Sequence, residues 1–398
     1  VGHGKLNKRR LGLYFHVPFC KSKCAYCDFY SFVPRDNGVY ERYVKALIKH
    51  IESYAKSCRD YAPDTVFIGG GTPTALPIEL LLELIRAIKR NFNLTKGVEF
   101  TVEANPATVT LKDLKKLRRA GVNRLSIGLQ SADNNELAAL SRIHRRQDFE
   151  EAFRNARRAK IANINVDVMF GIPGQTVGSM MRTLNYVTRL EPEHISFYNL
   201  KIEYGTPFWK MRDSLNLPGE DAEYEMYMRA VSYLAAKGYA QYEISNFAKP
   251  GCQCMHNVKY WNCDEYLGLG PAAHSFFNGS RFSFCRDAEK YMRALEDPGA
   301  NIRITEGIEE IMTKERVGEY VMLRMRLTEG ISTREFYRLF GKDFEAMYGR
   351  YLSKYIDGGF VVKKDDNYAF TPRGMFVSNY ILSDILDFSD TSLYDPMS

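Results

Sequence analysis

No apolar run in these 398 residues approaches the roughly 20 needed to cross a bilayer as a helix. Cysteine is sparse: 8 in a chain of this length fit poorly with a disulfide framework. No internal repeat or low-complexity tract stands out. The glycine run Gly69–Gly71 is not followed by Lys and Ser or Thr, which excludes a phosphate P-loop. Basic charge comes without any nucleic-acid-binding motif, so no nucleic acid partner is expected. The basic N-terminus enters the first strand with no cleavable signal. Together with reduced cysteines, this leads to the expectation of a reducing, cytoplasmic compartment.

What is present is ordinary globular material, 45% hydrophobic and 26% charged, long enough for one large core and a smaller second unit. The formal net charge is +7, with basic clusters at Lys5–Arg10, Arg142–Arg146 and Arg154–Lys160. Most of these read as solvated surface. The functional alternative is attraction to carboxylates or to anionic lipid headgroups, which allows peripheral membrane contact.

Short β-rich runs at 11–17, 65–68, 99–103, 125–129, 165–170 and 194–199 alternate with amphipathic stretches at 78–91, 111–120, 148–159 and 177–189. Apolar strands separated by helices predict parallel βα units. Six units predict an incomplete (β/α)6 barrel over residues 9–215, with a doubly wound sheet as the alternative. Residues 216–304 form a connecting region, with 221–238 helical and 242–270 irregular. Residues 305–398 read as a smaller helical, winged-helix-like unit, with helices at 308–326, 332–340, 344–357 and 372–386 and a hairpin at 360–370.

In either parallel topology, chemistry belongs at the C-terminal ends of the strands. There the first strand meets Cys20, Cys24 and Cys27. Three closely spaced thiolates can hold three irons of a cubane cluster and leave the fourth iron open, whereas iron–sulfur clusters ordinarily take four cysteines. Zinc, completed by His16 or a distant cysteine, is the competing reading. The second strand ends in Gly69-Gly70-Gly71-Thr72-Pro73-Thr74, whose backbone can approach a ligand closely. Glu103, Gln130 and Asp167 stand at or near the ends of later strands. Glu103 suits a ribose or an ammonium, and Arg142 suits a carboxylate.

These residues resemble the radical S-adenosylmethionine (SAM) superfamily, in the branch that holds oxygen-independent coproporphyrinogen III oxidases and the HemW haem chaperones. The resemblance rests on Tyr14–Cys20, the three-cysteine loop, Gly69–Thr74, Val102–Pro106, Gly128–Gln130 and Asp167–Gly174. It implies a [4Fe–4S] cluster on Cys20, Cys24 and Cys27, with SAM chelating the open iron. It implies a SAM pocket lined by Tyr14, Gly70, Gly71, Thr72, Glu103, Gln130, Arg142 and Asp167, with Tyr26 near the adenine. The oxidase pattern has a further cysteine two residues after the third, where this chain has Phe29. The run His256-Asn257-Val258-Lys259-Tyr260-Trp261 is similar to the His-Asn-x-x-Tyr-Trp motif of the HemW group. That makes His256 the leading candidate haem ligand, with His274, Cys254 and Cys263 as competitors; zinc on Cys252, Cys254 and His256 is a weaker reading. The implied function is a chaperone that carries haem as cargo to apo-haemoproteins, with homodimerisation permitted. Radical decarboxylation of coproporphyrinogen III is the alternative.

Overall fold

The computed structural model describes residues 8–310 and 313–386, apart from the side chains of 313–315. Six parallel strands follow one another in chain order: β1 (Arg9–Val17), β2 (Tyr61–Gly70), β3 (Glu99–Ala104), β4 (Arg124–Gln130), β5 (Asn163–Phe170) and β6 (His194–Asn199). The helices between them are α1 (Gly38–Ala55), α2 (Ile78–Asn91), α3 (Leu111–Ala120), α4 (Asn134–Ala139), α5 (Arg146–Arg158) and α6 (Val177–Arg189). Local signals set their limits. A Thr110–Asp113 capping box opens α3, and Gly121, at φ 105°, closes it.

Alternation on β1 shows how the layers form. Leu11, Leu13, Phe15 and Val17 are fully buried in the core, while Gly12, Tyr14 and His16 take the other face. Residues following or within all six strands line one cavity, so the sheet wraps around it. The ends do not close on each other. The sheet runs on at both edges to twelve strands, as an incomplete (β/α)6 barrel requires.

Two of those six extra strands, at 246–248 and 266–269, come from the stretch 242–270 expected to be irregular. After α7 (Pro207–Met211) and α8 (Glu220–Ala236), β7 (Ala240–Gln241) and β8 (Asn246–Ala248) extend the β6 edge antiparallel. A short helix, α9 (Met255–Trp261), follows, and β9 (Tyr266–Leu269) then pairs parallel with β1. Strands β10 (His274–Phe277) and β11 (Ser280–Phe284) continue outward, followed in sequence by α10 (Ala288–Glu296). β12 (Thr305–Glu310), expected as the start of a helix, is instead the exposed outermost strand of this edge. These pieces are two to seven residues long. They are stabilised by partners distant in sequence, which local periodicity does not register.

The C-terminal unit consists of α11 (Thr313–Arg324), β13 (Ile331–Ser332), α12 (Thr333–Phe340), α13 (Arg350–Asp357), β14 (Val361–Lys364), β15 (Asn367–Phe370), α14 (Pro372–Phe376) and α15 (Ser378–Ile385). The helix expected at 344–357 begins as a π-helical segment, Glu345–Gly349, and the last helix is broken at Val377. The three short strands form a separate antiparallel sheet, the wing. Phe336 anchors the unit, fully buried with its ring 5.1–6.4 Å from those of Tyr320, Phe340, Phe344 and Tyr348. No described helix is long and apolar enough to cross a membrane.

Phe336→Ala removes that anchor at a cost of about 3–5 kcal/mol. The expected outcome is preferential cleavage after residue 312 in limited proteolysis, with the N-terminal barrel persisting as a resistant fragment.

Candidate active site

Two hydrogen-bonded junctions shape the mouth of the barrel. Phe32 N–H donates to Pro18 O (2.8 Å) and Cys20 N–H to Phe32 O (3.0 Å), pinching the cysteine loop at its base. Gly71 N–H donates to Val17 O (2.8 Å) and Thr72 N–H to Phe19 O (2.7 Å), tying the glycine loop to the same chain. A Cβ at position 71 would lie 2.7 Å from Phe19 O, and Gly70 sits at φ 114° with the His16 ring where its Cβ would point. Both positions therefore need glycine.

The three thiols of the loop are half-buried, free of disulfides, and line the same cavity of about 410 Å³. That volume suits a small-molecule site. Thr72 Oγ1 lies 3.8 Å from Cys20 Sγ, and Arg142 Nη1 donates to Cys24 Sγ at 3.4 Å. Burial pushes the Cys20 and Cys27 thiols above their ordinary range; a bound cation reverses that preference.

Tyr26, Gly70, Gly71, Thr72, Glu103, Gln130, Arg142 and Asp167 all line this cavity. Glu103 accepts from Gly70 N–H at 3.1 Å. Its own burial, then the neighbouring Asp167 carboxylate, raises its pKa to about 7. Burial likewise raises Asp167, against hydrogen bonds from Asn165, Ser196 and Ser126. Gln130 takes a left-handed backbone (φ 70°) beside a bulge in β4, and Tyr198 O–H donates to its Oε1 at 2.7 Å. Arg142 Nη2 donates to Gly128 O at 2.9 Å, and its buried Nε has no partner among the described residues.

Tyr14 is placed differently from the expectation. It does not line the cavity. Its hydroxyl meets His16 Nδ1 at 2.9 Å, His16 Nε2 meets Tyr30 O at 2.8 Å, and its ring packs near Phe67 and His256. Tyr14 thus supports the wall from behind. Conversely, Ser126, Ser196, Tyr198, Ser245 and Asn246 line the cavity without having been singled out. Ser196 and Tyr198 were legible as alternate positions on β6. Asn246 opens β8, which pairs with β6, and Ser245 immediately precedes it.

His256 is enclosed in this fold. It is 1% exposed, with Nδ1 2.9 Å from Thr65 Oγ1, Nε2 2.9 Å from Tyr260 O–H, and its ring stacked on Phe67. Burial, then Lys259 and Arg124, lowers its pKa to about 3. The helix that carries it, α9, is capped from a distance: Glu99 accepts from the Met255 and His256 N–H groups at 2.9 and 3.0 Å. Cys254 is also fully buried, with Sγ 3.7 Å from Glu99 Oε1. A continuous buried chain links this helix to the cavity. Asn165 Nδ2 donates to Asp167 (2.7 Å), Asn165 Oδ1 meets His194 Nδ1 (2.6 Å), His194 Nε2 meets Tyr242 O–H (2.8 Å), and Cys254 N–H donates to that hydroxyl (3.3 Å).

A wrapped parallel sheet, a three-thiol loop at its mouth and a glycine-and-carboxylate cavity beside it define a radical SAM protein. Residues 14–187 match the radical SAM superfamily, and residues 312–377 match the HemN C-terminal domain. The chain is 35% identical to Heme chaperone HemW of Bacillus subtilis over 94% of this chain and 98% of that protein. It is 33% identical to Heme chaperone HemW of Escherichia coli over 94% and 97%. The solved structure of coproporphyrinogen III oxidase (HemN) from Escherichia coli superposes with a TM-score of 0.83 over 95% of this chain and 90% of that one, at 20% identity, a likeness of fold. Within the superfamily, the chain belongs to the HemW family.

The residues fit the cofactors that this superfamily implies. Three free thiols line one cavity, with Arg142 donating to Cys24 Sγ and Thr72 Oγ1 beside Cys20 Sγ. The unpartnered Arg142 Nε, the glycine cradle and the Glu103–Asp167 pair offer donors and acceptors for a zwitterion with a sugar.

Glu103 also sets a pH dependence. Its carboxyl titrates near 4.5 when unfolded and near 7 in the fold. The folded protein therefore holds a proton that the unfolded chain gives up between those values. The associated stability is fully present below 4.5 and is lost as pH rises through about 7, a change on the order of 3 kcal/mol. Buried Glu243, also near 7, acts in the same direction. The buried histidines His16, His50, His144, His194 and His256, held below their ordinary range by burial, act in the opposite direction over the same window. The contribution of Glu103 is therefore read as a difference: the Tm of Glu103→Gln minus that of wild type, by scanning calorimetry without SAM, is expected to grow more positive from pH 5 to 7.

Proposed function

We propose that this chain is a haem chaperone, binding haem as cargo and passing it to apo-haemoproteins such as respiratory enzymes. The observation that carries this reading is the identity to Heme chaperone HemW proteins across 94% of the chain. Phe29 adds to it. This residue stands where the oxidase pattern has a further cysteine, and it is 70% exposed at the cavity rim, free to meet an apolar ligand.

In this reading Cys20, Cys24 and Cys27 hold a [4Fe–4S] cluster. Arg142, Glu103, Asp167 and the Gly70–Thr72 backbone hold SAM beside it. When bound and reduced, the cluster supplies one electron to the SAM sulfonium. The protein's own residues orient and shield. Arg142 bridges Cys24 to the backbone of β4. Tyr198 fixes Gln130. At neutral pH the Glu103–Asp167 pair shares fewer than two negative charges, because both carboxyls are buried side by side.

Anaerobic reconstitution with iron and sulfide, then haem titration and a coproporphyrinogen III assay on the same sample, tests the reading. The expected result is saturable haem binding without decarboxylated product. Product formation would instead make this an oxidase despite Phe29. Cys20→Ser/Cys24→Ser/Cys27→Ser should abolish the cluster's visible absorbance while leaving the far-ultraviolet circular dichroism unchanged.

A further inference from the structure

We infer that His194 is a positioning residue for the cavity: acting through Asn165, it orients the Asp167 carboxylate toward bound SAM. This rests on the reading of the cavity as a SAM site and adds a residue behind its wall. His194 opens β6, is fully buried and does not line the cavity. Sheet register sets it beside Asn165 of β5, with Asp167 two residues further along the same face.

The direction of each hydrogen bond in this chain follows from its chemistry. An ionised Asp167 only accepts. Asn165 Nδ2 lies 2.7 Å from Asp167 Oδ1 and 2.7 Å from Ser126 Oγ, so both of its N–H bonds are used there. Turned the other way, the amide would set two acceptors 2.7 Å apart. Asn165 Oδ1 therefore faces His194 Nδ1, at 2.6 Å, and accepts from it. Burial, then the Arg124 guanidinium, holds the imidazole well below the usual histidine range, so the ring is neutral and its single proton sits on Nδ1. Nε2 is left as the acceptor, and Tyr242 O–H donates to it at 2.8 Å. The Tyr242 oxygen in turn accepts from Cys254 N–H at 3.3 Å. Every donor in the chain points from the segment before α9 toward Asp167.

Asn165 delivers to both carboxylate oxygens. Its first N–H goes to Oδ1 directly. Its second goes to Ser126 Oγ, which donates to Oδ2 at 3.3 Å. An ionised carboxylate has about four acceptor sites, which leaves others for a ligand hydroxyl or ammonium. The neighbouring Glu103 carboxyl is met instead by one backbone donor, Gly70 N–H. Asp167 is thus the carboxyl built to keep its charge, and Glu103 the one that takes up a proton first. Arg124 on β4 is the buried cation on this side, and Tyr26 and Tyr198 are the other titratable groups that face Asp167. A buried imidazole with one nitrogen donating and the other accepting locks this polarity, because neither neighbour can reverse without leaving a group unpaired.

The test joins nuclear magnetic resonance of the full chain, isotope-labelled at histidine nitrogen, to SAM titration of the iron-and-sulfide-reconstituted protein. The imidazole signal that disappears in His194→Asn is expected to be the neutral Nδ1–H form at neutral pH. An asparagine amide can donate from nearly the place of Nδ1, so His194→Asn should keep SAM affinity within about twofold of wild type. His194→Leu, similar in size but without a donor, should weaken SAM binding about tenfold. Asn165→Ala should match it, and serves in its place where His194→Leu fails to fold. Matching circular dichroism and cluster absorbance establish that the variants retain the fold. An Nε2–H imidazole at position 194 in wild type, equal losses in His194→Asn and His194→Leu, or full affinity in His194→Leu or Asn165→Ala overturns the assignment and leaves the SAM reading standing. Failure of wild type to bind SAM overturns both.

Discussion

The short stitch between the end of β1 and the loop after β2 fixes the geometry on which the rest depends. Two backbone hydrogen bonds, Gly71 to Val17 and Thr72 to Phe19, hold the glycine loop against the strand that delivers the cysteines. Any side chain at position 71 would strike Phe19 O. Because the contact is backbone to backbone, the three thiols, the cradle and Glu103 are positioned by the sheet itself rather than by flexible side chains. The strand ends then add one polar group each around the same cavity, a division of labour open to parallel barrels.

Such a site places carboxylates where they are poorly solvated. Glu103 and Asp167 share a buried wall, and both titrate above their ordinary values. The barrel interior offsets this with a continuous hydrogen-bonded chain through Asn165, His194 and Tyr242 to the backbone of the segment before α9. His256 belongs to that buried polar interior. Its two nitrogens satisfy Thr65 and Tyr260, and its neighbours at the start of the helix are capped by Glu99. The motif helix is thus joined through hydrogen bonds to the cavity that the three loop cysteines line.

Much of this was legible in the sequence. The helices at 78–91, 111–120 and 177–189 coincide with their amphipathic runs, and β6 with its apolar run, because each is long or strongly patterned enough to be set by local signals. The three loop cysteines and the glycine loop are contiguous motifs, so linear spacing alone carries them. What escaped was built from pieces of two to seven residues whose partners are remote: β7 to β12 and α9. The Glu99 cap of α9 joins residues more than 150 positions apart. No local window contains such a signal.

The sequence by itself determined the chemistry on offer: three thiols in one loop, a glycine turn, a polar group at strand end after strand end with carboxylates at Glu103 and Asp167, and a superfamily pattern across nearly the whole chain. These are properties of residue type and spacing, which need no long-range contact to be read. Only the tertiary structure decided access. It put Tyr14 behind the wall and sealed both nitrogens of His256. Burial is a property of the packed chain. A histidine in a motif looks available until the sheet is folded around it.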